Sequence, residues 1–219
     1  MNKELKKRIL SSIVLMPIVF FCTIKGSFLF NFLIFICFFI TSYEWYMMTR
    51  KKPYYLLGIF FLVLSFYTVY QIRTNAPEFE YGYFMSILLI CISTDLGGFI
   101  FGKILKGPKL TKISPNKTFS GLIGGYLLSI IILSIYFKST FSPLQMDELK
   151  FGIYIFIILV STVSQLGDII ISYFKRLSKI KDTGKIIPGH GGLLDRIDGM
   201  IFAFPFSYLT FKINIFQYF

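Results

Sequence analysis

Apolar residues along this chain come in seven runs, each near the ~20 residues that the hydrocarbon core of a bilayer requires. They extend roughly from Ile9 to Ile24, Ser27 to Met47, Tyr54 to Ile72, Tyr81 to Gly102, Gly121 to Phe137, Phe151 to Phe174 and Leu193 to Phe211, with a break expected at Pro205 in the last. Short polar segments separate them. The pattern predicts an all-α, polytopic integral membrane protein of about seven transmembrane helices, with residues 1–219 forming a single membrane domain.

The sixth run differs from the others. Ser161, Gln165, Asp168, Ser172, Lys175 and Arg176 are its polar positions, and at ~100° per residue they fall within an arc of about 100° on one helix face. A carboxylate deep in a membrane helix costs on the order of 2.5–3.5 kcal/mol, so Asp168 is expected to face an interior or an aqueous cavity. The helix runs into a basic turn with Lys175, Arg176, Lys179, Lys181 and Lys185, interrupted by Asp182. Pro188, Gly189, His190, Gly191 and Gly192 follow, and Asp195, Arg196 and Asp198 open the next apolar run. Clustered cations, backbone amides brought close by glycine and a helix start are groups that bind phosphate. Carboxylates beside them invite a divalent cation bridging phosphate oxygens. Residues 161–200 thus form a candidate catalytic hairpin for phosphoryl or nucleotidyl transfer at a membrane surface.

Composition supports the membrane reading: 55% hydrophobic residues and 27 Phe, with a mean hydropathy of +0.68. A net charge of +12 would hint at nucleic acid in a soluble protein, but its placement gives it another meaning here, and no nucleic-acid partner is expected. Cations cluster before the first run, after the second, after the fourth and after the sixth; the opposite side holds only Lys25, Arg73, Lys138, Lys150 and Lys212 of the 23 Lys and Arg. By the positive-inside rule the N-terminus and both large basic loops face the cytoplasm. Cys22, Cys37 and Cys91 sit in apolar runs without metal-ligand spacing and read as buried thiols.

A second basic loop, about residues 102–121, follows Asp95, Gly97, Gly98, Gly102 and Lys103 in the fourth run. Its Ser114-Pro115-Asn116-Lys117-Thr118 turn stands at a helix entrance, where Lys117 can hold a phosphate or a lipid head group. Lys106, Lys109 and Lys112 read as topogenic charges. Near the end of the second run, Glu44 has two readings, a cavity-lining carboxylate or an interfacial one held by Arg50, Lys51 and Lys52. Trp45 beside it reads as an interfacial anchor.

The stretch SYFKRLSKIKDTGKIIPGHGGLLDRID, Ser172 to Asp198, resembles the signature of the CTP:phosphatidate cytidylyltransferases, the CDP-diacylglycerol synthases. Asp95, Gly102-Lys103 and Ser114 to Thr118 resemble a second motif of that family, whereas Phe99, Phe119, Ser120 and Ile171 depart from its pattern. The resemblance implies a magnesium-dependent nucleotidyltransferase of phospholipid biosynthesis: a phosphatidate oxygen attacks the α-phosphorus of CTP, giving CDP-diacylglycerol and pyrophosphate. Asp168 and Asp195 are the candidate Mg²⁺ ligands, on the residues and by the motif, with the number of cations left open. Asp182 and Asp198 are expected to orient cationic side chains or to act through water. Lys175, Arg176 and Lys181 are expected to hold the triphosphate, with Arg196 as a fork for a phosphate oxygen and His190 as a phosphate-loop contact. Substrate contacts are expected from Ser172, Gly189, Gly191, Gly192, Asp95, Lys103, Ser114, Lys117 and Thr118. The implied partners are CTP, phosphatidate and membrane lipid, and the implied place is a bacterial-type inner membrane with the site facing the cytoplasm. A homodimer is among the partners the reading allows. Two rivals share parts of this pattern: a CTP-dependent lipid kinase moving the γ-phosphoryl group, and an anion carrier using Asp95 and Asp168 as a relay.

Overall fold

The computed structural model describes residues 3–74, 81–111, 113–114, 117–140, 151–187, 189 and 191–213, with side chains from Val14 onward apart from Ser27. Among them the chain forms α1 (Lys3–Lys25), α2 (Ser27–Thr49), α3 (Tyr55–Thr74), α4 (Gly82–Leu105), α5 (Phe119–Thr140), α6 (Phe151–Leu177), α7 (Leu194–Ile197) and α8 (Met200–Lys212). The only strand-like pairings among these residues are the isolated bridges Lys109 to Thr118 and Ile187 to Gly191. The protein is an all-α, polytopic membrane protein. Among the described residues, five helices are long and apolar enough to cross a bilayer, over Phe28–Thr49, Tyr55–Thr74, Gly82–Leu105, Phe119–Thr140 and Phe151–Leu177.

The first predicted run lies within α1. The last is divided at Asp198-Gly199 into the single turn α7 and the 13-residue α8, and Pro205 lies inside α8 without ending it. The backbone passes against α6 at this point: a Cβ on Gly199 would lie 2.4 Å from Ser164 Oγ and 2.8 Å from its carbonyl oxygen.

Hydroxyl-bearing residues are kept inside the helices by bonding to the preceding turn. Thr41 donates to Cys37 O, Thr49 to Trp45 O, Ser65 to Phe61 O and Ser93 to Leu89 O, which satisfies each polar group without water. The outer faces carry Phe28, Phe35, Leu56, Leu57, Phe60 and Ile104, all well exposed. Such faces suit contact with acyl chains rather than water.

The chain packs as two compact units, each assembled from separate stretches: Met1–Tyr83 with Phe174–Asp198, and Phe84–Tyr173 with Gly199–Phe219. In the first, α2 is central and packs against α1, α3 and α7. Gly26 makes the turn between α1 and α2 at φ +60°, and a Cβ there would meet the Arg73 guanidinium 2.4 Å away; Arg73 Nε donates to Thr23 O at 3.0 Å. Trp45 is buried. Its Nε1 donates to Tyr55 O at 3.0 Å, its ring meets Tyr54 and Phe174, and Gly58 leaves the space for it.

In the second unit, glycines set how closely α4 and α5 approach. A Cβ on Gly97 would fall 2.4 Å from Gly124 O, and one on Gly121 would fall 2.7 Å from Gly98 O; only small residues allow such backbone contact. Polar pairs tie both helices to α6, with Thr94 to Ser161 at 2.7 Å and Tyr126 to Thr162 at 2.8 Å. Phe84 and Phe204 join α4 to α8 with ring centroids 5.0 Å apart.

Candidate active site

In the first unit the signature residues gather around Asp195. Its side chain is almost fully enclosed, and Lys175 Nζ reaches Oδ1 at 2.8 Å with only a tenth of the lysine side chain exposed. Oδ2 accepts from Thr183 N at 2.7 Å, Thr183 Oγ1 at 3.1 Å and Gly192 N at 3.0 Å. One carboxylate therefore holds the end of α6 and both flanks of the intervening loop.

The local sequence explains how the chain gets there. α6 stops where Lys179 takes φ +57°, and the amides of Lys179 and Ile180 close the turn onto Arg176 O and Lys175 O. The loop returns through the bridge of Ile187 N to Gly191 O at 3.0 Å. Gly189 and Gly191 sit at φ +79° and +88°, a region that costs L side chains roughly 1–2 kcal/mol. A Cβ on Gly191 would also lie 2.9 Å from Asp195 Oδ2. Gly192 is buried, and its amide is given to Asp195 rather than left open for a phosphate.

Around this core, Arg176, Lys181, Asp182 and Arg196 are exposed. Arg176 Nη1 donates to Ile180 O at 3.2 Å, which fastens its guanidinium at the surface. Asp198 is buried. His190 and Pro188 lie outside the described residues.

Glu44, read from the sequence as cavity-lining or interfacial, is an enclosed carboxylate. It is 2% exposed and reaches the loop: Oε1 accepts from Leu193 N at 2.9 Å, and Oε2 accepts from Leu194 N at 2.8 Å and from Thr183 Oγ1 at 3.1 Å. Thr183 was the residue that sequence reasoning passed over. Its position between Asp182 and Gly184, the signature's only threonine, was the available signal.

The second unit holds a separate polar group. Asp168 Oδ2 lies 2.5 Å from Lys117 Nζ, with 28% and 22% of the two side chains exposed; Lys117 Nζ also donates to Gln165 O at 3.3 Å. Ser172, one turn on, donates to Asp168 Oδ1 at 3.2 Å. Lys117 is placed by a tight turn, its amide bonded to Ser114 O at 3.0 Å and its carbonyl to Leu110 N at 2.8 Å. Thr118 spends its hydroxyl on the start of α5, accepting from Gly121 N at 3.1 Å, as an N-cap does. Asp95 and Lys103 are exposed on α4, with Lys103 Nζ 5.6 Å from the centre of the Phe99 ring.

A hard cation fits part of this inventory. The Lys117 ammonium occupies a place bounded by the Asp168 carboxylate and the Gln165 carbonyl, which are oxygen donors of the kind Mg²⁺ takes. At Asp195, Oδ2 is filled by three donors and only Oδ1 has capacity beyond Lys175. No cluster of three His, Cys, Asp or Glu exists among the described residues.

The model of the cytidylyltransferase family matches residues 54–214. The chain belongs to the cytidylyltransferase family. Curated relatives agree: the phosphatidate cytidylyltransferase of Rickettsia bellii is 37% identical over 221 residues, covering 97% of this chain and 92% of that protein. The Rickettsia felis enzyme of the same name is 37% identical over 207 residues, 90% and 88% of the two chains. The Bacillus subtilis phosphatidate cytidylyltransferase is 34% identical over 157 residues, 69% of this chain and 55% of that longer protein. The family match includes the Asp168 group and the Asp195 cluster, and it begins after Glu44.

Proposed function

We propose that this cytidylyltransferase acts on phosphatidate, converting it with CTP to CDP-diacylglycerol and pyrophosphate in phospholipid biosynthesis. The observation that carries the reading is the family membership joined to the Rickettsia relatives, which share a name and nearly the whole length of the chain. A phosphatidate oxygen forms the new bond to the α-phosphorus of CTP as the bond to the β-phosphate oxygen breaks, and pyrophosphate leaves with that electron pair. No covalent protein intermediate is needed, because such transfers depend on in-line positioning and on neutralising charge.

The exposed cations Arg176, Lys181 and Arg196 are assigned to the triphosphate and the leaving pyrophosphate. Lys175 is engaged with Asp195 and holds the loop that presents them. Lys117 is assigned to a substrate phosphate, which would draw its ammonium off Asp168. We assign Asp168 and Oδ1 of Asp195 as carboxylates for Mg²⁺, which when bound screens charge on phosphate oxygens. The site is read as facing the cytoplasm across an inner membrane, from the placement of the basic loops.

The test is product analysis with purified protein, phosphatidate, CTP and Mg²⁺. CDP-diacylglycerol with pyrophosphate supports the reading; CDP with a lipid newly phosphorylated by the γ-group would make the protein a kinase, and flux across sealed vesicles without CTP consumption would make it a carrier.

A further inference from the structure

Glu44 lies on α2, 139 residues before Thr183 and 150 before Leu194, and before the first residue of the family match. A carboxyl group enclosed this far is costly unless donors surround it. Among the described residues its donors all come from the stretch that leads into Asp195. Leu193, at the start of α7, has no oxygen with which to cap that turn; Glu44 takes its amide and the next one instead. At the other flank the Thr183 hydroxyl stands 3.1 Å from Glu44 Oε2 and 3.1 Å from Asp195 Oδ2. A hydroxyl has one hydrogen, so the two carboxylates share it, and displacement of either is felt by the other.

The glycines of this loop fit around the same side chain. A Cβ on Gly184 would lie 2.6 Å from Glu44 Oε1, and one on Gly192 would lie 2.5 Å from Oε2. Their small size serves the approach of a carboxylate from α2.

We propose that Glu44 is a positioning residue for the CTP-dependent reaction: it clamps both flanks of the 183–194 loop, so that Asp195 and Lys175 are held in register for substrate. The proposal rests on the phosphatidate cytidylyltransferase reading above. Misplacing reacting groups by about 1 Å costs on the order of 100-fold in rate.

The full chain is tested as wild type and Glu44→Gln, by steady-state kinetics and amide exchange. Gln is isosteric but turns an N–H₂ toward the amide of Leu194 or Leu193. Expected are a kcat about 100-fold lower, a KM for CTP within about threefold of wild type, and faster exchange confined to Leu193 and Leu194 while α3 exchanges as before. Glu44→Asp keeps the charge and is expected to recover part of the lost kcat. A Glu44→Gln kcat within about threefold of wild type overturns the proposal, as does a loss accompanied by faster exchange throughout α3, which is general destabilisation. Should Glu44→Gln not fold, Thr183→Val removes the shared hydroxyl; a kcat about tenfold lower supports the clamp and a wild-type kcat overturns it. If wild type makes no CDP-lipid, the functional reading fails, and the exchange pattern still reports whether Glu44 holds the loop.

Discussion

Replacing Asp195 by Asn tests the centre of the first unit, because its size and shape are kept while its charge is removed. The carboxylate and its Lys175 partner are both nearly enclosed. Removing one member of such a pair strands the other as a buried charge, at a cost of about 3–5 kcal/mol. Asn can still accept from Thr183 N and Gly192 N with its carbonyl, but its amide nitrogen then faces the Lys175 ammonium at the 2.8 Å position now filled by Oδ1. For chains of 150–250 residues this corresponds to a fall of about 6–20 °C in Tm. Lys175→Met leaves the carboxylate with its three loop donors and is expected at the lower end of the same range. Combining the two removes the stranded charge, so the double variant is expected to be less destabilised than the sum of the singles, by roughly 0.5–3 kcal/mol. Unfolding of all four proteins in one detergent measures the cycle, and CDP-lipid formation is followed in parallel, where no variant is expected to recover activity. Additivity within about 0.5 kcal/mol would refute the pairing as an energetic unit.

Asp168→Asn presents the opposite balance: its pair with Lys117 is partly exposed, so stability should change by only about 0–1 kcal/mol while CDP-lipid formation falls by about 100-fold or more. Gly191→Ala meets both a positive φ and Asp195 Oδ2; a destabilisation of roughly 1–2 kcal/mol is expected in thermal unfolding, with lower turnover, and a neutral result would place the strain elsewhere. Gly97→Ala sets a methyl against Gly124 O and is expected to cost about 1–3 kcal/mol, whereas Gly98→Ala, whose nearest neighbour would be 3.7 Å away, should be close to neutral.

The long spans were legible because a run of apolar residues long enough for a bilayer leaves the backbone little alternative to helix. The ends of the site elements were legible for a similarly local reason: basic residues and glycines mark where α6 stops and its loop begins. The last run was harder. Leu193 to Phe211 has the composition of one span, but the approach of Gly199 to Ser164 within it is a tertiary contact with no local signal. Lys175 and Asp195 were both recognised, yet in separate roles, because nothing in a spacing of 20 residues says that they bond to each other. Trp45 illustrates the same limit. An amphipathic ring at a span end usually sits at the interface, and its burial depends on Gly58, Tyr54 and Phe174. Glu44 was the least legible, since the amides it holds are supplied by a loop about 150 residues later.

The central claim is that this chain moves the cytidylyl group of CTP onto a lipid phosphate. CTP labelled at the α-phosphorus, incubated with purified protein, phosphatidate and Mg²⁺, measures it most directly. The account predicts label in CDP-diacylglycerol with an equal amount of unlabelled pyrophosphate, lost in Asp168→Asn and on removal of the divalent cation. Label that stays wholly in water-soluble nucleotide while wild-type protein is folded and supplied with both substrates would contradict it.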